Sequence, residues 1–235
     1  MIKSYNSYVK HIFKLAMFVI IPVVLFLGML IIHKTGLLGT LFEGDTDFIF
    51  APLSIAVFSV FTAMVWSIFD FYSFTGTLSK KSQGIEFLKT SKRAKKYFMD
   101  VVIFDIIIKL VAYVVLVGIA LLEIKALTGF AVLDVLEMNY PYIIIGISMC
   151  FCMCYINRHF SNAQTFMITT YLVFSFNGTV LGVVQAIISE AKASDTIMKN
   201  ADKGLAALYG LAGVICLILT ICKTKKCINE SWYSD

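Results

Sequence analysis

Apolar residues fall in long blocks along this chain. From Leu15 to Ile32, eighteen successive positions carry no charge. Blocks of similar character occupy about 15–33, 50–72, 101–122, 140–157, 164–188 and 204–222. A helix that crosses a bilayer needs about 20 mostly apolar residues, because the hydrocarbon core is about 30 Å thick. The pattern therefore predicts an all-α membrane protein with six transmembrane helices. The first block is too long for the apolar region of a signal peptide, and no small-residue cleavage site follows it, so it is expected to persist in the mature chain.

The segments between the blocks are patterned too. In residues 1–14, Tyr5, Tyr8, Val9, Ile12 and then Ala16 fall at helical spacing, with Lys3, Ser7, Lys10 and Lys14 on the other side. That predicts a short amphipathic helix in the membrane interface, its lysines toward anionic headgroups; a frayed basic leader is the alternative. Residues 73–100 hold Ile85, Phe87 and Leu88 beside charged residues, followed by a basic run into the third block, which predicts a helical hairpin. Residues 189–203, with apolar positions Ile187, Ile188, Ala191 and Ala193 leading in, predict a re-entrant or interfacial segment.

Composition agrees. Of 235 residues, 59% are hydrophobic and 15% charged, against about half and about a quarter in soluble domains. The blocks use most of the chain, so residues 1–235 form one membrane domain with no room for a sizeable soluble one.

Charge sets the expected orientation. With the N-terminus inside, the inner segments carry 14 Lys and Arg and the outer loops 5, together with nine acids from Glu43 to Asp202. Basic residues accumulate on the cytoplasmic side, so both termini are expected there and 73–100 becomes a cytoplasmic hairpin. The net charge of +5 then reflects topology and implies no nucleic-acid partner.

A few polar and small residues interrupt the spans. Asp105 and Lys109 are four apart and share a helix face. Charges inside a membrane usually face a bundle interior or a cavity, so this pair reads either as a polar lining of a transport path or as a self-neutralised structural pair with Lys109 reaching toward the cytosol. Asp70 sits in an aromatic cluster with Trp66, Phe69, Phe71, Tyr72 and Phe74, which reads as the cytoplasmic rim of span two. In span five, Gly178, Gly182 and Ala186 form a stripe of small residues suited to close helix packing, flanked by polar residues including Asn177. Ala206 and Gly210 repeat the stripe in span six. Cys150 and Cys154 share a face while Cys152 points away; with no His or acid joining them, they read as packing residues, not a metal site. Cys216, Cys222 and Cys227 also avoid the outer loops, so no disulfide is expected.

Catalytic signatures are missing. The sequence has no phosphate-binding glycine loop, no H-E-x-x-H and no G-x-S-x-G. His11, His33 and His159 are isolated near span ends, and no span carries paired carboxylates. The chain is expected to be no enzyme, with no catalytic residue, metal or cofactor of its own.

The order of elements is an interfacial N-terminal helix, two spans, a basic cytoplasmic hairpin, then four spans. It resembles the permease subunits of type-2 ATP-binding-cassette exporters, in particular small bacterial permeases linked to export of, or immunity to, antibiotics and bacteriocin-like peptides. The run "GIEFLKTSKRAKKYF", residues 84–98, is similar to the family's segment before span three, though the family's proline is absent. The resemblance implies a bacterial cytoplasmic-membrane location and a hairpin that docks a separate ATPase through Ile85, Phe87, Leu88, Lys89, Lys92 and Arg93. It implies a second permease copy, identical or paralogous, with ATP and Mg held by the ATPase and a peptide, drug or lipid-like substrate. An ion-coupled carrier or channel using Asp105 and Lys109, with Asn177 on the path, is the alternative. A membrane immunity or regulatory protein that transports nothing is a third.

Overall fold

In the computed structural model the described residues are 1–36, 46–74, 93–159, 168 and 195–230. They are helical almost throughout. Helix α1 spans Ile2–Tyr8, α2 His11–Leu15, and a π-helical turn, Ala16–Ile20, leads into α3, Ile21–Thr35. Then follow α4 (Thr46–Phe74), α5 (Ala94–Thr128), α6 (Val132–His159) and α7 (Asp195–Glu230).

Five stretches are long and apolar enough to cross a bilayer: His11–Thr35, Leu53–Phe74, Ala94–Thr128, Asn139–Arg158 and Asp202–Lys226. They match five of the six predicted blocks; the block at 164–188 lies outside the described residues, apart from Ile168. Large apolar side chains face outward on these helices, among them Val24 and Leu27 on α3, Val111 and Val114 on α5, and Leu208 and Leu211 on α7. Water would make such faces unstable, whereas hydrocarbon suits them. The chain is a multi-pass helical membrane protein.

Backbone details follow from particular residues. Pro22 has no N–H to give to the helix before it, and the wider π turn stands just ahead of it. There the Met17 carbonyl accepts a hydrogen bond from the Trp66 indole of α4 at 3.2 Å. Helices α3 and α5 both end on a glycine with left-handed backbone, Gly36 at φ 65° and Gly129 at φ 78°, where a Cβ would be strained. Only residues 129–131 separate α5 from α6, so the two run antiparallel. Helix α6 packs chiefly against α4 and α7.

Close packing centres on glycines of α6 and α7. A Cβ on Gly146 would lie 2.6 Å from both Ser59 Cβ and Tyr113 Oη, and one on Gly213 would lie 2.8 Å from the Ser148 backbone. Ala206 is buried, and a Cβ on Gly210 would come within 3.3 Å of Ile144, so the small-residue stripe of the last span does face a neighbour. Gly178, Gly182 and Ala186 lie outside the described residues. Gly146→Ala must push α6 away from α4 and α5, an overpacking that costs about 1–3 kcal/mol. It should therefore melt well below wild type in detergent. Gly118→Ala, where a Cβ meets nothing within 4 Å among the described residues, should not; equal melting of the two variants would refute the close contact.

The N-terminal segment departs from the single interfacial helix expected over 1–14. It breaks at Val9, whose backbone is extended (φ −86°, ψ 124°), before α2 begins. Tyr5 and Val9 are buried in a cluster with Phe74, Ala94, Phe98 and Val102, while Ile12 is two-thirds exposed. Protein packing takes Tyr5 and Val9, while Ile2 at the start of α1 stays exposed. At the other end, 195–203 is the opening of one continuous helix that runs on into the last span. The rest of the segment expected to be re-entrant or interfacial, 189–194, lies outside the described residues.

Candidate functional site

Four charged side chains converge where α4, α5 and α6 meet near the Phe74 end of α4. Asp70 comes from α4, Asp105 and Lys109 from α5, and Arg158 from α6. Each is no more than 2% exposed. Lys109 Nζ donates to Asp70 Oδ1 at 2.7 Å and to Asp105 Oδ2 at 2.8 Å. Arg158 Nη2 donates to the same two oxygens, at 2.7 and 2.6 Å. Arg158 Nε adds a second bond to Asp70, at Oδ2 and 3.1 Å. Both acids thus hold both cations in a closed, formally neutral ring.

The walls of the ring are specific. The Arg158 guanidinium lies 4.3 Å from the centre of the Phe74 ring, with Lys109 Nζ at 6.0 Å from it, a favourable arrangement of cations over an aromatic face. The third Lys109 proton faces Cys154 Sγ at 3.5 Å. From the N-terminus, the Tyr5 hydroxyl reaches Asp105 Oδ1 at 3.4 Å. Burial, and after it the negative charge of Asp105, pushes the Tyr5 phenol up from its ordinary value, so it stays a donor. Burial likewise pushes Tyr8 up to about 12. Asn157, beside Arg158, donates to the Ser67 carbonyl at 2.9 Å and ties α6 to α4 again.

Burying such charges is costly, and their attraction compensates only when geometry and hydrogen bonding are good. Here Asp70 receives three bonds and Asp105 two plus the long one from Tyr5. The ring cannot shed a member cheaply.

The structure brings Asp105 and Lys109 together, as their spacing predicts. Lys109 does not reach toward a solvated surface; it turns into the bundle. Asp70 stands near the Phe74 end of its helix, where the sequence puts it, and its carboxylate is enclosed there by α5 and α6. Arg158, counted above only as an orienting charge, is an equal partner in the ring. A signal was available: an acid within an aromatic, uncharged stretch needs a cation, and Arg158 was a spare one at the same end of another span. Of the expected docking residues, Arg93 is exposed at the cap position of α5. Ile85, Phe87, Leu88, Lys89 and Lys92 lie outside the described residues, as does Asn177. Cys150 and Cys154 are buried and Cys152 half-buried; these three with Cys216 and Cys222 are free thiols. Among the described residues, no cluster of three or more His, Cys, Asp or Glu could hold a metal ion.

No family model, no curated protein and no solved structure matches this chain.

Proposed function

We propose that this chain is the transmembrane subunit of an ATP-driven exporter, paired with a second permease copy and with separate ATPase subunits that dock on the hairpin at 73–100. The observation that carries the reading is the position of the charged ring on either side of that hairpin. Asp70 stands four residues before the end of α4, and Asp105 stands eleven residues into α5. The two helices that frame residues 75–92 are therefore gripped by the same two cations, and both are fastened to α6 through Arg158. A force applied to the hairpin would pass into three helices at once through bonds that resist separation. This is what a subunit driven from outside requires.

Two further features support it. The hairpin sequence carries apolar residues amid dense positive charge, suited to a protein surface with an acidic rim. The ring is stoichiometrically closed, two acids on two cations, which weighs against Asp105 as a coupling site that loads and releases an ion. The chain itself would do no chemistry, with ATP and Mg held by the partner. A bacterial cytoplasmic membrane with both termini inside follows from the charge bias and the resemblance.

Phe87→Asp tests the docking. It places a charge among Ile85, Phe87 and Leu88 and should abolish co-purification of the ATPase while leaving the amount of membrane-inserted chain unchanged. Undiminished recovery of the ATPase would remove the hairpin from its assigned role.

A further inference from the structure

We propose that the charged ring binds one water molecule, which joins it to α7. Beside the ring is a cavity of about 10 Å³ lined by Asp105, Lys109, Cys154 and Arg158, by Thr220 of α7, and by the apolar Ile106, Phe151 and Leu217. That is about the space of a single water. Arg158 is 1% exposed, yet its Nη1 has no hydrogen-bond partner among the described residues. A guanidinium nitrogen in this position needs an acceptor. Two residues that line the cavity carry acceptors. Asp105 Oδ1 receives only the long bond from Tyr5. Thr220 Oγ1 gives its proton to the Cys216 carbonyl at 2.8 Å, which leaves its lone pairs free.

A water placed there accepts from Arg158 Nη1 and donates to Asp105 Oδ1 and Thr220 Oγ1. Three bonds are the usual number for a buried water. Other occupants fit less well. The ring is already neutral, so it does not call for an ion, and the volume has no space for a hydration shell. An apolar group would leave the guanidinium nitrogen unsatisfied.

The consequence lies in α7. Among the described residues, none of the ring's ion pairs reaches that helix; the water links it to the ring. The ring's hold on α7 is thus through hydrogen bonds to a water, whereas α4, α5 and α6 are held to one another by charges. The site stands whether or not the chain is an exporter subunit.

A density map of the full chain in lipid nanodiscs, at a resolution that shows other ordered waters, tests this. The expected result is one peak within hydrogen-bond distance of Arg158 Nη1, Asp105 and Thr220. The peak should persist in Thr220→Ser, which keeps the hydroxyl, and be lost or displaced in Thr220→Val, which removes it. An empty cavity, a protein group bonded to Nη1, or a peak indifferent to Thr220→Val would overturn the proposal. So would a peak that strengthens when bromide replaces chloride in the buffer, since that marks an anion site. The ATPase co-purification result bears on none of these outcomes.

Discussion

Arg158→Met should be among the most damaging single substitutions in this protein. Methionine keeps much of the length and apolar stem of the side chain but removes three of the bonds that bind α6 to α4 and α5. It leaves two carboxylates sharing one lysine, a net negative charge sealed in the bundle. Breaking a buried pair in this way typically costs about 3–5 kcal/mol, a large part of the stability of an ordinary domain. The folded fraction after extraction in mild detergent, read by size-exclusion chromatography, should fall to a small share of wild type. Adding Asp70→Asn restores the charge balance, leaving the Asp105–Lys109 pair on α5, and should recover part of the loss. A monodisperse Arg158→Met protein at wild-type yield would mean that the ring contributes little.

Asp105→Asn should have a similar effect alone and a much smaller one together with Lys109→Met. The single variant leaves two cations facing one acid. The double variant leaves Asp70 and Arg158, which already share two hydrogen bonds at 3.1 and 2.7 Å in the paired geometry that suits a guanidinium and a carboxylate. The amide oxygen introduced by Asp105→Asn can still accept from Tyr5. Thermal stability and transport or resistance in cells should therefore recover most of the way in the double variant, with membrane abundance as the control. A double variant that is abundant and stable yet as inactive as Asp105→Asn would assign the pair a chemical role and favour the ion-coupled carrier.

The spans were legible because bilayer thickness imposes a length on each apolar block, and length can be read without knowing any contact. Asp105 and Lys109 were legible as a pair because helical geometry places residues four apart on one face. Asp70 and Arg158 are 88 positions apart, and Tyr5 and Asp105 are 100 apart; no local rule connects them. The aromatic neighbours of Asp70 indicate an end of a span but not a partner; one of those rings, Phe74, is the surface under the Arg158 guanidinium. The break at Val9 escaped for a related reason. Apolar spacing runs on through Ile12 and Ala16, but docking of Tyr5 and Val9 against α5 fixes α1 before that period is complete. Gly146 carried no visible motif, since its need for a bare Cα comes from Ser59 and Tyr113 on two other helices.

The proposed role of the hairpin is tested most directly by ATP hydrolysis in the chain purified from its own membrane. The wild-type protein, tagged and extracted in mild detergent, should carry a bound ATPase subunit and hydrolyse ATP. Phe87→Asp, purified to the same amount and equally monodisperse, should carry neither. A wild-type chain that emerges well folded with no ATPase and no hydrolysis, from cells that make the full set of neighbouring proteins, would contradict the account.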